Sequence, residues 1–310
     1  MTTSTQTSQP AGASGTFLLS GELPVVRLGF GAMRLPSGNF RGRARDPEDG
    51  MAVLRRALEL GVNHIDTASF YRHDNVSSNE LIRRALAPYP DGLVIATKVG
   101  PMPGPDGTPS LQATPGELRG LVEDNLRELG LDRLDLVYLR VGGMSEPGRE
   151  SVADRFAALA ALRDEGLIRH LGVSNADAAQ LSEALQVAPV AAVQNAFHVH
   201  HATDATVLAQ CGRSGIAFVP FFPLGGGRDP IDPARLDQPA ARHDATVRQV
   251  AIAWLLATSP VMLPIPGTGT LAHLEENVAA ARLTLSEEEV ASLTEGAAGT
   301  SDPRAARRMP

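Results

Sequence analysis

Cysteine, lysine and long apolar runs are all scarce in this 310-residue chain, and each scarcity bears on what the protein can be. The one cysteine, Cys211, rules out an intrachain disulfide and a thiolate metal cluster. A lone cysteine in an apolar pattern reads as a small core residue. No uninterrupted apolar run reaches the roughly 20 residues that span a bilayer, so no membrane partner is expected. Residues 1–15 have neither the cationic start nor the apolar stretch of a secretory signal. They read as a disordered leader, residues 299–310 read as a flexible tail, and a cytoplasmic location is expected. The net charge of -7 offers no concentrated basic face, so nucleic acid is not an expected partner. Arg304, Arg307 and Arg308 read as part of the solvated tail. Lysine is the most telling shortage: of 28 basic residues only Lys98 is not arginine. A buried ammonium is a compact charge with a tunable pKa, whereas a guanidinium is planar and always protonated. Position 98 either needs an amine or is a chance survivor in an arginine-rich chain.

What the chain does have is regular alternation. T-F-L-L-S and P-V-V-R-L, joined through Gly21, Glu22 and Leu23, predict a short hairpin ahead of the main fold. Apolar strand candidates follow at 28–33, 63–67, 93–98, 134–140, 168–173, 190–194, 216–221 and 261–266. Helical periodicity fills the gaps at 47–60, 77–87, 115–129, 151–166, 177–186, 203–213, 245–257 and 271–281, with one more helix at 286–295. Several of these helices carry start signals, such as Thr114 before Pro115 with Glu117 three residues on. Eight strand–helix units in strict alternation predict an α/β (β/α)8 TIM barrel over 16–298, with an N-terminal hairpin and an extra C-terminal helix. The competing doubly wound sheet fails because the fingerprint begun by L-G-F-G-A-M has Arg34 where its third glycine belongs. The acid that should end the next strand is also missing at the required spacing.

In a barrel the chemistry gathers at the C-terminal ends of the strands. Those ends carry Asp66, Lys98, Arg140, Ser174 with Asn175, Gln194 and Phe221, and Tyr71 lies in the loop after Asp66. A phenol with a reference pKa near 10 is a weak acid at neutral pH, but an adjacent ammonium stabilises its phenolate. A carboxylate then holds the ammonium in place. Singly, each residue has a blander role: Asp66 as a helix cap, Tyr71 as loop packing, Ser174-Asn175 as a turn.

The segments G-V-N-H-I-D-T-A-S-F-Y, V-I-A-T-K, L-G-V-S-N, V-Q-N and I-P-G-T-x-x-x-x-H-L-x-E-N resemble the aldo-keto reductase superfamily from about Leu28 to Leu293. The resemblance implies an NADPH-dependent enzyme acting on a small-molecule carbonyl, with hydride delivered to the carbonyl carbon and a proton from Tyr71 to its oxygen. It implies that Lys98 and Asp66 tune Tyr71, and that Ser174, Asn175 and Gln194 hold the nicotinamide carboxamide. Phe221 would stack on the nicotinamide, Leu224 would contact the cofactor, Gly225, Gly226 and Gly227 would let the backbone approach the pyrophosphate, and Thr268, His273, Glu276 and Asn277 would surround the 2′-phosphate and adenine.

Two departures stand out. Arg140 occupies the end of the fourth strand, where most of the family has histidine, and is expected to face substrate. The family's frequent lysine and arginine at the adenosine end are Gly267 and His273 here. The L-R-V and V-P-F-F-P-L-G-G segments are most similar to a bacterial subset that includes pyridoxal reductases. Arg140 also keeps open a second reading, a nicotinamide-binding sensor or accessory barrel with little turnover. His198, His200 and His201 form an H-x-H pattern, but lining or solvent exposure is expected rather than a metal site.

Overall fold

The computed structural model describes residues 9–38, 42–105, 109–142, 148–202, 204–227 and 231–298. The expected tail and the first eight residues of the expected leader lie outside these. An antiparallel hairpin, β1 (Thr16–Leu19) and β2 (Leu23–Val26), pairs from Thr16↔Val26 to Leu19↔Leu23. Its Leu19, Leu23 and Val25 pack against Val94, Leu136, Ala192 and Ala217 inside the starts of the sheet strands, so the hairpin plugs the lower end of the barrel. Residues Pro10–Ser14 form a 3₁₀ turn rather than disordered leader. Ala11 there is fully buried and its N–H donates to Leu60 O at 3.0 Å. Apolar contact, that backbone bond and the Leu28 N–H donating to Ser14 Oγ at 3.0 Å dock a segment whose composition alone looks unstructured.

Seven parallel strands follow in sequence order around the sheet: β3 (Phe30–Gly31), β4 (His64–Asp66), β5 (Val94–Val99), β6 (Leu134–Arg140), β7 (Ile168–Ser174), β8 (Ala192–Gln194) and β9 (Ala217–Phe218). The expected eighth strand at 261–266 is not a regular strand. Pro264 and Pro266 have no N–H to give a ladder, yet the segment still closes the barrel. Phe218 N–H donates to Val261 O at 2.8 Å, Leu263 N–H to Phe218 O at 2.8 Å and Gly29 N–H to Pro264 O at 3.0 Å. The seam is tight: a Cβ on Gly31 would lie 2.7 Å from Ile265 O.

Helices pack outside this barrel: α1 (Pro47–Glu59), α2 (Ser78–Leu86), α3 (Leu118–Leu129), α4 (Ala153–Asp164), α5 (Ala178–Val187), α6 (Ala205–Ser214), α7 (Asp237–Arg242), α8 (Val247–Thr258), α9 (Leu271–Ala279) and α10 (Glu287–Ala298). None among the described residues is long and apolar enough to cross a membrane. Caps set several starts. Asp46 accepts from Glu48 N–H ahead of Pro47, and Asp177 and Thr246 close capping boxes with Gln180 and Gln249. Cys211 is buried on α6, as its apolar neighbourhood predicts.

Candidate active site

Strand register assembles the site. β5 pairs with β6 so that Lys98 lies opposite Tyr138, and β6 pairs with β7 so that Arg140 lies opposite Ser174, itself opposite Gln194 on β8. Gly172 on β7 leaves the space that the Tyr138 ring fills, since a Cβ there would come within 2.6 Å of it. These interior positions form one polar layer near the C-terminal mouth.

At its centre Asp66, 2% exposed, spends both oxygens on neighbours. Lys98 Nζ donates to Oδ1 at 2.6 Å and Gln194 Nε2 donates to Oδ2 at 2.6 Å. Lys98 gives a second hydrogen bond to Thr67 O at 2.9 Å and its Nζ stands 4.8 Å from the centroid of the Tyr71 ring. The carboxylate therefore fixes the ammonium beside the phenol, which is the arrangement expected. The net effect on Tyr71 differs from the expectation. Burial raises its pKa, and the charges of Lys98 and Arg140 pull it down only in part. Desolvation of a phenolate outweighs the two cations, so the phenol holds its proton at neutral pH.

Arg140 is 8% exposed, donates from Nη1 to Ser174 Oγ at 3.2 Å and lays its guanidinium 4.7 Å from the Phe221 ring centroid. Burial lowers its pKa to about 10, and Tyr71 and Asp66 oppose that fall. It stays a cation at neutral pH, facing the same small cavity as Met33, Phe70, Tyr71, Lys98, Gln194, Phe221 and Phe222.

That cavity opens into a longer cleft. Its middle is walled by Gly31, Met33, Phe221, Leu224, Gly226 and Gly267, and its far end by Arg34, Arg45, Arg248, Thr268, His273 and Asn277. Tyr71 and Phe221 line both the first and second stretches, and Arg34 and Leu224 line both the second and third. The cleft is thus continuous. Gly226, at φ +62°, sits where a Cβ would strike the Phe222 ring at 2.6 Å, so the turn across the middle of the cleft requires glycine.

The residues read from sequence gather here, with shifts of detail. Ser174 and Asn175 stand together, Asn175 at φ 59° with its Nδ2 on Val141 O at 3.0 Å. Gln194 uses its amide N–H on Asp66, and its buried Oε1 has no partner. Glu276 is outside the lining: its carboxylate accepts from Thr246 Oγ1 at 2.7 Å and lies 4.0 Å from Arg248. The three histidines make a turn, with His198 and His201 exchanging backbone hydrogen bonds and stacking their rings 5.6 Å apart. Arg34, Arg45 and Arg248 were not foreseen. Arg45 precedes α1, Arg248 lies in the first turn of α8 and Arg34 ends a short 3₁₀ turn after β3, and in an arginine-rich sequence such positions look like ordinary solvated surface.

The sequence model of the aldo/keto reductase family matches residues 27–229 and 232–297. This chain belongs to that family. It is 45% identical over 283 residues to pyridoxine 4-dehydrogenase of Escherichia coli strain K12, covering 91% of this chain and 98% of that one. It is 40% identical over 294 residues to an uncharacterized oxidoreductase of Schizosaccharomyces pombe, covering 94% and 93%. An aldo-keto reductase from Klebsiella pneumoniae, solved in complex with NADPH, superposes with a TM-score of 0.74 at 25% identity over 90% of this chain and 94% of its own. The seven-stranded sheet closed by residues 261–265 is therefore the family's (β/α)8 barrel.

Proposed function

We propose that this enzyme uses NADPH to reduce an aldehyde or ketone to the alcohol, with Tyr71 as the general acid, and that its substrate class is pyridoxal-like, a carbonyl flanked by an anionic oxygen. The observation that carries the reading is the Asp66–Lys98–Tyr71 cluster, buried at one end of a cleft that continues past Gly226 to Arg45 and His273. The cleft fits that cofactor. Gly226 lets its wall approach closely, Phe221 offers a ring face, and the unpartnered Gln194 Oε1 is an acceptor for a carboxamide N–H. When bound, NADPH supplies the hydride that adds to the carbonyl carbon.

The protein's share is to hold the carbonyl oxygen and protonate it. Tyr71, kept neutral by burial, donates its phenolic proton to that oxygen, and Lys98 and Arg140 then stabilise the phenolate. Asp66 keeps Lys98 from turning away. Arg140 adds fixed donors beside the same cavity, which favour a substrate carrying negative charge next to the carbonyl. The 45% identity with a pyridoxine 4-dehydrogenase supports that class.

The test follows NADPH oxidation with pyridoxal and with a neutral aldehyde of similar size. Tyr71→Phe is expected to bind NADPH as the parent does and to lose a factor of about 10² to 10⁴ in turnover. A Phe variant within a few-fold of the parent would mean that Tyr71 is not the acid, and a parent that binds NADPH without turnover would leave only a dinucleotide-binding barrel. Arg140→Met is expected to lose about ten- to hundred-fold in kcat/KM for pyridoxal and less for the neutral aldehyde. Equal losses would remove the substrate preference.

A further inference from the structure

The far end of the cleft is cationic, and one of its cations is held with unusual care. Arg45 immediately precedes Asp46, the cap of α1, and its own N–H donates to Pro36 O at 2.9 Å. Ser37 bridges Ala44 on the other side, so the backbone that carries the side chain is pinned at both stems. The guanidinium then lies across Gly269, where a Cβ would sit 2.6 Å from Arg45 Cζ. Arg45 Nε is shielded from solvent and donates to nothing. No carboxylate among the described residues pairs with Arg45, in contrast to Arg248, which has Glu276.

Arg34 makes the isolation sharper. Its Nη2 donates to Gly226 O, and its charge is disfavoured first by burial and then by the like charge of Arg45. Two guanidinium groups near one another, without an acid between them among the described residues, are a cost that an anion would remove. Thr268 and His273 share this end of the cleft. Thr268 Oγ1 accepts from Thr270 N–H at 3.2 Å, which leaves the hydroxyl proton to donate. Arg45 and the Thr268 hydroxyl, donors with no acceptor among the described residues, lie at the end of the cleft opposite Tyr71 and suit a phosphate monoester.

We propose that Arg45 grips the phosphate on the adenosine ribose of NADPH and so selects it over NADH, and that Gly269 is kept without a side chain to seat Arg45. The inference rests on the dinucleotide reading above and adds a specificity residue that the sequence pattern did not show. Arg34 lines both the middle and the far end of the cleft and supports the field rather than the choice. The unforeseen cation takes over where Gly267 and His273 supply no permanent charge.

Calorimetric titration of the intact protein with NADPH and with NADH, without substrate, tests this independently of turnover. Arg45→Ala is expected to weaken NADPH about ten- to hundred-fold and to leave NADH within a few-fold. Gly269→Ala, which displaces the guanidinium at a position of ordinary φ, is expected to give a loss of the same kind. Adding it to Arg45→Ala should cost nothing more, because the methyl then enters vacated space. Equal losses for the two dinucleotides, no loss in Arg45→Ala, or losses that multiply in the double variant would overturn the assignment. A parent that binds neither dinucleotide would instead overturn the reductase reading itself.

Discussion

Lys98 shows how much a single side chain can be constrained by its surroundings. It is 2% exposed, bonded to Asp66 at 2.6 Å and to Thr67 O at 2.9 Å, and stands over the Tyr71 ring. An ammonium meets all three partners because it is compact and its three donors rotate. A guanidinium is a planar fork on a longer stem and cannot occupy the same point. Lys98→Arg is therefore expected to keep a cation yet lose turnover by about 10² to 10⁴, the same range as loss of the acid itself. Lys98→Met should be as inactive and less stable by about 3–5 kcal/mol, because it leaves Asp66 buried without its partner. Turnover of the two variants with pyridoxal, set beside their urea midpoints, checks both points. Near-parent activity in the arginine variant would mean that charge alone suffices and that the lone lysine is an accident of composition.

Elements were legible where they repeat a period long enough to read. The helices at 47–59, 118–129 and 247–258 lie within a few residues of the pattern because caps or turn residues and an apolar stripe agree. Asp66, Lys98 and Arg140 were legible for a related reason: each ends a strand whose apolar run is clear. The closing segment at 261–265 reads as a strand by composition, but prolines turn it into a seam held by three backbone bonds. Short pieces escaped notice. The ribbons Arg72–His73 with Val76–Ser77 and Pro101–Pro103 with Pro109–Gln112, and the six-residue α7, are too brief to show a period. Arg45 was illegible for a different reason. Its role comes from Gly269, more than two hundred positions away, and no local pattern encodes that meeting. The partner of Asp66 in Gln194 was likewise hidden, because a residue read as a cofactor contact proves to hold the carboxylate.

At the scale of the whole molecule, the barrel interior is apolar at the plugged end and polar toward the cleft, and His64 sits where the two meet. It is fully buried on β4, and neither ring nitrogen has a hydrogen-bond partner. Burial, with Lys98 adding to it and Asp66 opposing, lowers its pKa to about 4 from 6.5. Native His64 is therefore neutral at pH 7, as is the unfolded residue, and the linkage is silent there. Between pH 6.5 and about 4 the unfolded chain takes up the proton and the native protein does not. Stability falls with falling pH wherever the unfolded state binds more protons, so this one residue removes stability across that window. The gap corresponds to about 3 kcal/mol at its lower end. Carboxylates add their own slope, but they are common to the parent and a His64→Leu variant. The difference between the two isolates His64. Urea unfolding at pH 7 and at pH 4.5 should show the parent losing about 2–3 kcal/mol more than the variant between the two conditions, whatever their relative stability at pH 7. Parallel losses would mean that His64 protonates as readily in the native barrel as in the unfolded chain, and that the polar layer already holds water or a partner for its ring.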